Sequence, residues 1–278
     1  MFWRTTRYRI DLSRPQVMGI VNVTPDSFSD GGRFNDPAQA LGQCERLLKE
    51  GADILDIGGE SSRPGATILS VDEEWARVAP VLAAAVTLGV PVSIDTCKAE
   101  VMQRALDLGA DIVNDIHALT GEGAEAVVAR HGACGVCLMH MRGDPGTMQS
   151  QTSYDDVVAE VAAYLAERAQ HLVQTQGVGS ERLVLDPGIG FGKTPQQNLT
   201  LLRRQAELLD LGFPLLVGWS RKSTLGVVTG RPVTERLPAS LAAALAGVAL
   251  GARIVRVHDV AATVDALKVW QAAGLGTG

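Results

Sequence analysis

The sequence predicts an α/β fold of the (β/α)8 type, a TIM barrel, in which a single domain spans residues 1–278. Eight short apolar runs recur along the chain, and a segment with helical character follows each of them. The runs are continuous rather than alternating, which is typical of parallel strands that helices cover on both faces. A doubly wound open sheet is the alternative fold for the same alternation of strands and helices.

Each predicted element occupies its place in this repeat. The eight predicted strands are residues 17–21, 54–58, 91–95, 112–115, 135–140, 183–186, 214–218 and 254–257. The helices predicted between them include 36–50, 71–88, 99–108, 154–176 and 195–209. Glycines follow the helices, where a left-handed C-cap favours them, at Gly51, Gly89, Gly109, Gly132, Gly177, Gly212 and Gly251. Residues 2–14 are predicted to form a short β-ribbon that plugs the bottom of the barrel.

The composition excludes several classes of partner. The net charge of −6 and the aromatic content of 4% argue against a surface that binds nucleic acid. Three arginines lie within the first twelve residues with no apolar run behind them, unlike a signal peptide. The longest apolar stretch, residues 237–250, is too short to span a bilayer. We therefore expect a soluble cytoplasmic protein with no membrane or nucleic-acid partner.

The cysteines are interpreted as reduced packing residues. The run His131-x2-Cys134-x2-Cys137-x2-His140 has the residue types of a zinc site. It overlaps the fifth predicted strand, however, where side chains three positions apart point to opposite faces. The sequence therefore does not predict a zinc site.

Polar residues end or follow six of the eight predicted strands, which favours a functional site at the C-terminal mouth of the barrel. Each of these residues taken alone could equally cap a helix. They are Asn22, Asp95, Asn114, Asp115, Asp186, Lys222, Arg256 and His258.

The chemistry of these side chains indicates a heterocycle that carries a diphosphate. Acceptors and one amide donor suited to an aminopyrimidine edge come from Asp95, Asn114 and Asp186. Positive charge for phosphates comes from Arg63, Lys222, Arg256 and His258. Asn22 offers a neutral oxygen to a Mg²⁺ ion that keeps most of its waters and binds substrate phosphates.

Five ordered motifs resemble those of the dihydropteroate synthases, from about residue 17 to residue 260. They are MGIVNVTPDSFSDGG at 18–32, DIGGESSRPG at 56–65, LDPGIGFGK at 185–193, SRKS at 220–223 and RVHD at 256–259. The resemblance implies a (β/α)8 enzyme of folate biosynthesis, a sulfonamide target that is commonly a homodimer. It implies the condensation of 6-hydroxymethyl-7,8-dihydropterin diphosphate with p-aminobenzoate, which yields 7,8-dihydropteroate and pyrophosphate with Mg²⁺ as cofactor.

The resemblance also implies a role for each matching residue. Asp95, Asn114, Asp186 and Lys222 would hold the pterin ring, and Met139 would touch it. Arg256 would stack on that ring and grip the diphosphate together with His258, Asn22 and Mg²⁺. Ser223, at a helix N-terminus, would bind the p-aminobenzoate carboxylate, and Ser62, Arg63, Pro64, Phe191 and Lys222 would line the rest of that pocket. Phe28 and Asp30 would lie on a mobile first loop.

The expected chemistry is loss of pyrophosphate from the pterin methylene, followed by attack of the arylamine. The catalytic residues are expected to be Asp95, Lys222, Arg256 and His258, with Asp95 stabilising the pterin cation. Ser62 stands where threonine is frequent in the family, and Trp219 is bulkier than usual; both are expected to touch the p-aminobenzoate side.

Two other functions compete with this one. A pterin-dependent methyltransferase would share the barrel, but its substrate carries no diphosphate for Arg256 and His258 to bind. A non-catalytic pterin-binding paralogue should have lost residues of the first loop or of the Ser-Arg-Lys turn, which this sequence retains.

Overall fold

The computed structural model describes residues 1–23, 37–62 and 67–275, and its main sheet is a closed parallel barrel. The barrel strands are β3 (Gln16–Asn22), β4 (Ile54–Gly58), β5 (Val92–Asp95), β6 (Ile112–Asp115), β7 (Gly135–Met139), β8 (Leu183–Asp186), β9 (Leu215–Val217) and β10 (Ala252–Val257). They pair in sequence order, and β10 closes against β3. The predicted (β/α)8 barrel is confirmed, and the open-sheet alternative is wrong.

Helices alternate with the strands as predicted, with small differences at their ends. They are α1 (Pro37–Lys49), α2 (Val71–Ala85), α3 (Ala99–Asp107), α4 (Ala124–His131), α5 (Val157–Thr175), α6 (Pro195–Arg203), α7 (Ser223–Thr229), α8 (Leu237–Ala249) and α9 (Val260–Ala272). All seven predicted capping glycines have φ between 67° and 108°. Within the described ranges, no helix combines the length and apolarity needed to cross a membrane.

Two predicted helices have different boundaries. The helix predicted at 154–176 begins only at Val157, because the Asp156 carboxylate accepts the first free backbone N–H groups and acts as the N-cap. The helix predicted at 195–209 ends at Arg203 and continues as a separate 3-10 helix, Gln205–Leu211. There the buried Gln205 side chain donates to the carbonyls of Gly247 and Leu250 and holds the chain against the end of α8.

The N-terminal segment forms the predicted ribbon at the bottom of the barrel. Strands β1 (Phe2–Arg4) and β2 (Arg9–Asp11) pair antiparallel. The Trp3 indole between them is fully buried, and its Nε1 donates to the carbonyl of Arg182 at 2.8 Å. The ring packs with apolar residues that point into the barrel, so the lower half of the interior is filled.

Side-chain alternation along the strands determines which residues reach the mouth of the barrel. Met18, Ile54, Ile112, Cys137, Val184 and Ile254 belong to the inner apolar cluster beside Trp3. Their neighbours in sequence, such as Leu55 and Val113, pack outward beneath the helices. Because the period is two, the next inward positions are Asp56, Asn114, Met139, Asp186 and Arg256. The polar layer therefore lies directly above the apolar one.

Candidate active site at the barrel mouth

A partly buried arginine connects three strands at the mouth of the barrel. Arg256 on β10 donates from Nε to Asp56 Oδ2 and from Nη2 to Asp95 Oδ2, each at 2.6 Å. Asn114 on β6 donates its amide to the same Asp56 oxygen at 3.2 Å. Asp56 is fully buried, and its other oxygen, Oδ1, has no hydrogen-bond partner among the described residues. The network thus brings the predicted residues Asp95, Asn114 and Arg256 together.

Asp56 is a site residue for which the sequence analysis predicted no role, although it opens one of the motifs. Its position two residues after the inward-facing Ile54 was the available signal. Its function in the structure is to balance the charge of Arg256 and to orient Asn114.

The Asp95 carboxyl differs from an ordinary aspartate. Burial raises its pKa above the usual range, the positive charge of Arg256 opposes that rise, and the negative charge of Asp56 adds to it. The side chain is nevertheless 19% exposed, so a ligand in the mouth can reach it. A ligand that donates to this carboxyl would therefore compete with Arg256 for it.

Lys222 and Asp186 occupy the opposite wall. The Lys222 ammonium lies 4.1 Å from the centroid of the Phe191 ring, a cation–π contact. Burial lowers the pKa of Lys222 to about 8, while Asp186 opposes that shift. Burial also raises the pKa of Asp186, whose Oδ1 accepts the Gly188 N–H at 2.7 Å. Met139 is paired with Asp186 in the sheet and packs with Phe191.

His258 is held by a serine. Its backbone N–H donates to Ser220 Oγ at 3.1 Å, and its ring Nδ1 lies 3.0 Å from the same oxygen. Burial, reinforced by the charge of Arg256, lowers the pKa of His258 to about 3. The imidazole is therefore neutral at pH 7, and it can donate one N–H to a ligand if Nε2 carries the proton. Ser220 is a second supporting residue that the sequence analysis did not assign.

The turn before α7 separates two cations. Arg221 has a φ of 59°, a left-handed conformation that costs about 1 kcal/mol for a residue with a side chain. Its guanidinium pairs with Asp259 at 2.5 and 3.0 Å, outside the mouth. Lys222 then points inward, and Ser223 begins α7 with an exposed side chain.

Salt bridges anchor both ends of the loop that follows β4. Lys98 donates to Glu60 at 2.7 Å and to the buried Glu74 at 2.6 Å. The Glu60 carboxylate also accepts the Leu69 N–H at 2.7 Å, so one side chain ties the two ends of this loop. Ser62 is half-buried at the edge of the described segment. The predicted residues Arg63, Pro64, Phe28 and Asp30 lie outside the described residues.

Asn22 ends β3 and is half-buried, beside Gly58 in the sheet. Gly58 in turn pairs with Asp95, so Asn22 lies two strands from that carboxyl. No group of three His, Cys, Asp or Glu side chains in the described part of the chain could hold a metal ion. This donor set fits Mg²⁺ only where the ligand and water supply most of the oxygens, as at phosphate sites.

Two sequence-based interpretations need correction. Asp115 faces away from the mouth, and its buried carboxylate accepts the N–H groups of His117 and Leu119, so it is a turn residue. Trp219 is 1% exposed and packs in the apolar cluster between the strands and the helices, rather than at the open mouth.

The possible zinc ligands do not converge. Cys137 packs inside the barrel, whereas Cys134 packs outside it and its Sγ accepts from Arg182. His131 accepts the Cys134 N–H, and His140 contacts Lys193. The opposite orientation of the two cysteines is as the sequence predicts.

A second cavity, of about 560 Å³, lies at the opposite end of the barrel beneath the ribbon. Two of its three arginines are paired with carboxylates, Arg4 with Glu181 and Arg7 with Asp111, and the third, Arg9, lies over the Phe2 ring. We therefore place the functional site at the mouth, where the buried titratable groups converge.

Known proteins resemble this chain along almost all of its length. A family model described as pterin binding enzyme matches residues 18–258. Dihydropteroate synthase of Neisseria meningitidis serogroup B is 56% identical over 279 residues, which cover 98% of each chain. The solved Yersinia pestis dihydropteroate synthase with a sulfonamide drug complex has a TM-score of 0.93 at 44% identity, covering 99% of each chain. The Xanthomonas albilineans dihydropteroate synthase in complex with 7,8-dihydropteroate has a TM-score of 0.87 at 46% identity, covering 96% of each. This chain therefore belongs to the dihydropteroate synthases, a family of pterin binding enzymes.

Proposed function

We propose that this transferase joins 6-hydroxymethyl-7,8-dihydropterin diphosphate to p-aminobenzoate, with Mg²⁺-assisted release of pyrophosphate and formation of 7,8-dihydropteroate. The observation that carries the proposal is the partly buried network of Arg256, Asp56, Asp95 and Asn114. It offers acceptors, an amide and a guanidinium in one polar layer, which suits the edge of an aminopterin. The Xanthomonas relative holds 7,8-dihydropteroate, the product of this reaction.

Binding of the pterin is proposed to rearrange Arg256. The ring N–H groups of the pterin would replace the guanidinium as donors to Asp95, which the mouth leaves partly exposed. Asn114, Asp186, Lys222 and Met139 would complete the ring site. The released guanidinium would then lie against the ring and reach the diphosphate, while Asp56 keeps it aligned.

Charge on the leaving diphosphate is proposed to be stabilised from two directions. Arg256 supplies a permanent cation, and His258 supplies one N–H from a ring fixed by Ser220. Mg²⁺, held by Asn22 and the phosphates, would neutralise further charge when bound. The pterin methylene cation would face Asp95. No general base is required before the attack, because the arylamine nitrogen is nucleophilic while neutral; the ammonium formed on attack then releases one proton to water or to the departing pyrophosphate.

The p-aminobenzoate is proposed to bind between Lys222 and the start of α7. The Phe191 ring provides an apolar wall, and exposed Ser223 offers a hydroxyl for the carboxylate. Ser62, Arg63 and Pro64 are proposed to close this side, and Phe28 and Asp30 to cover it. Sulfonamides, which mimic p-aminobenzoate, would bind here.

Substitution of the diphosphate contacts tests this proposal. We expect His258→Ala and Asn22→Ala each to lower kcat/KM for the pterin diphosphate at least about 100-fold, as loss of a preorganised contact does. Calorimetry should show that affinity for 6-hydroxymethyl-7,8-dihydropterin, which has no diphosphate, is preserved. Wild-type turnover in either variant would contradict the assignment. Equal loss of affinity for both pterins would show that the ring site had been disturbed instead.

A homodimer and a cytoplasmic location remain predictions from the sequence. We propose that two copies associate through the adjacent helices α7, α8 and α9. Val227 and Val228 on α7 and Val269 on α9 are 60% or more exposed, which is unusual for apolar side chains on neighbouring helices. Sedimentation of the wild-type protein and of Val227→Glu would test the proposed dimer and its interface. A monomeric wild-type protein would contradict the dimer, and a variant that still forms the dimer would contradict this interface.

A further inference from the structure

Lys193 is a buried lysine beside the proposed site that none of the steps above uses. Burial lowers its pKa to about 7, and the negative charge of Asp186 opposes that shift. Its Nζ lies 2.9 Å from the carbonyl oxygen of Gly188, 3.0 Å from that of Phe191 and 3.2 Å from that of His140. The His140 ring nitrogen Nδ1 is 2.9 Å away. Lys193 is 2% exposed and forms no ion pair with a carboxylate in the described ranges. Nζ therefore has four polar neighbours, and the three carbonyl oxygens among them can only accept hydrogen bonds from its N–H groups.

The turn around Nζ has one internal backbone hydrogen bond, from the Phe191 N–H to the Gly188 carbonyl at 3.1 Å, and its Gly190 N–H donates to Asn198 Oδ1 at 2.9 Å. Gly188, Gly190 and Gly192 all adopt left-handed conformations, with φ of 67°, 84° and 63°. Side chains from elsewhere hold its outer edge: Tyr154 donates to the carbonyl of Gly192, and Gln149 to that of Gly190. On the inner edge, Lys193 links the Gly188 carbonyl to that of Phe191.

The turn lies next to one side chain of the proposed site and carries another. Asp186 precedes it, and the Phe191 ring within it supports the Lys222 ammonium. Lys193 donates to the backbone carbonyl of Phe191 itself, so Nζ contributes to placing the residue that carries the ring. A buried charge is costly, and an apolar residue of similar volume would often serve stability equally well. A buried amino group at this place is explained if its hydrogen bonds position the ring.

We propose that Lys193 is a positioning residue for p-aminobenzoate. Its Nζ group holds the 188–192 turn, so that the Phe191 ring faces the aromatic substrate and orients Lys222. The inference rests on the proposed substrate site. Asp186 is anchored mainly by its own strand, so the pterin site should depend less on Lys193.

The test compares Lys193→Met, which keeps the volume but removes all donors, with a matched control, Arg182→Met. Arg182 is also buried, at 3% exposure, and donates to the carbonyls of Cys134 and Val128 at the bottom of the barrel. We expect both variants to lower the Tm by roughly 5 °C, because each leaves buried carbonyls unsatisfied. Only Lys193→Met should raise the KM for p-aminobenzoate, by about ten-fold. The Kd for the pterin diphosphate should stay within about two-fold.

Two further variants keep the outcome decisive. Lys193→Gln retains two N–H donors, so it should raise the KM for p-aminobenzoate less than Lys193→Met does. It also replaces Lys193→Met in the test if that variant does not fold. Phe191→Ala tests the site on which the inference rests and should raise the same KM. An unchanged KM in Lys193→Met beside a raised one in Phe191→Ala would overturn the inference and leave the site intact. Unchanged values in both would overturn both, and an equal rise in Arg182→Met would reduce Lys193 to a stabilising residue.

Discussion

At the residue scale, the site depends on a charge balance that each member needs. Arg256 is partly buried between two carboxylates, of which Asp56 is fully buried, and Asn114 donates to the same Asp56 oxygen. Removing one partner from a buried pair leaves an uncompensated charge, whereas exposed pairs contribute little. The network is therefore expected to be sensitive to single substitutions in both stability and binding.

Asp56→Ala is the direct test of that balance. We expect it to lower the free energy of unfolding by about 3 kcal/mol, because Arg256 and Asn114 lose their buried acceptor. Urea denaturation measures the change. The control is Asp72→Ala, whose 87% exposed carboxylate pairs with Arg104 and whose loss should cost less than about 1 kcal/mol. Equal small losses in both variants would show that the Arg256 network does not stabilise the fold.

The pH dependence of kcat/KM for the pterin diphosphate should be bell-shaped. Lys222 has a lowered pKa of about 8, so its ammonium loses the proton as the pH rises through that value and activity falls above it. Asp95 has a raised pKa, so its carboxylate gains a proton at a higher pH than an ordinary aspartate does. Activity should therefore fall as the pH drops below the pKa of Asp95. Lys222→Arg should move only the alkaline limb, to higher pH. A flat wild-type profile from pH 6 to 9.5 would contradict these roles.

At the element scale, the strands were predictable because each is a continuous apolar run, and the capping glycines marked the helix ends. Contacts between distant residues were not. The break after Arg203 depends on Gln205 reaching the end of α8. The roles of Asp56 and Ser220 depend on partners 200 and 38 residues away. Asp115 could be assigned to its turn only once its facing direction was known.

The turn after β8 gives a prediction at this scale. Gly188 and Gly177 share a φ of 67°, but a Cβ on Gly188 would lie 1.9 Å from the His140 carbonyl oxygen, whereas nothing lies within 4 Å at Gly177. Gly188→Ala should therefore cost at least about 3 kcal/mol of unfolding free energy, and Gly177→Ala about 1 kcal/mol. Thermal or urea denaturation of both variants checks the difference. Similar losses would mean that backbone conformation, rather than the close approach to β7, requires glycine at 188.

At the scale of the whole molecule, the barrel separates stability from chemistry. Its lower half is filled by apolar side chains and closed by the ribbon, and its upper layer is polar. Trp3→Ala should lower the free energy of unfolding by about 3–5 kcal/mol, because the indole is fully buried and its N–H is bonded. The KM values of the folded variant should not change. A raised KM for either substrate would show that the two ends of the barrel are coupled.

The central claim is the condensation itself, and pyrophosphate release measures it most directly. Purified protein with 6-hydroxymethyl-7,8-dihydropterin diphosphate and Mg²⁺ should release pyrophosphate only when p-aminobenzoate is added, with one 7,8-dihydropteroate formed for each pyrophosphate. Tight binding of the pterin without release at saturating p-aminobenzoate would contradict the account and indicate a non-catalytic pterin-binding protein.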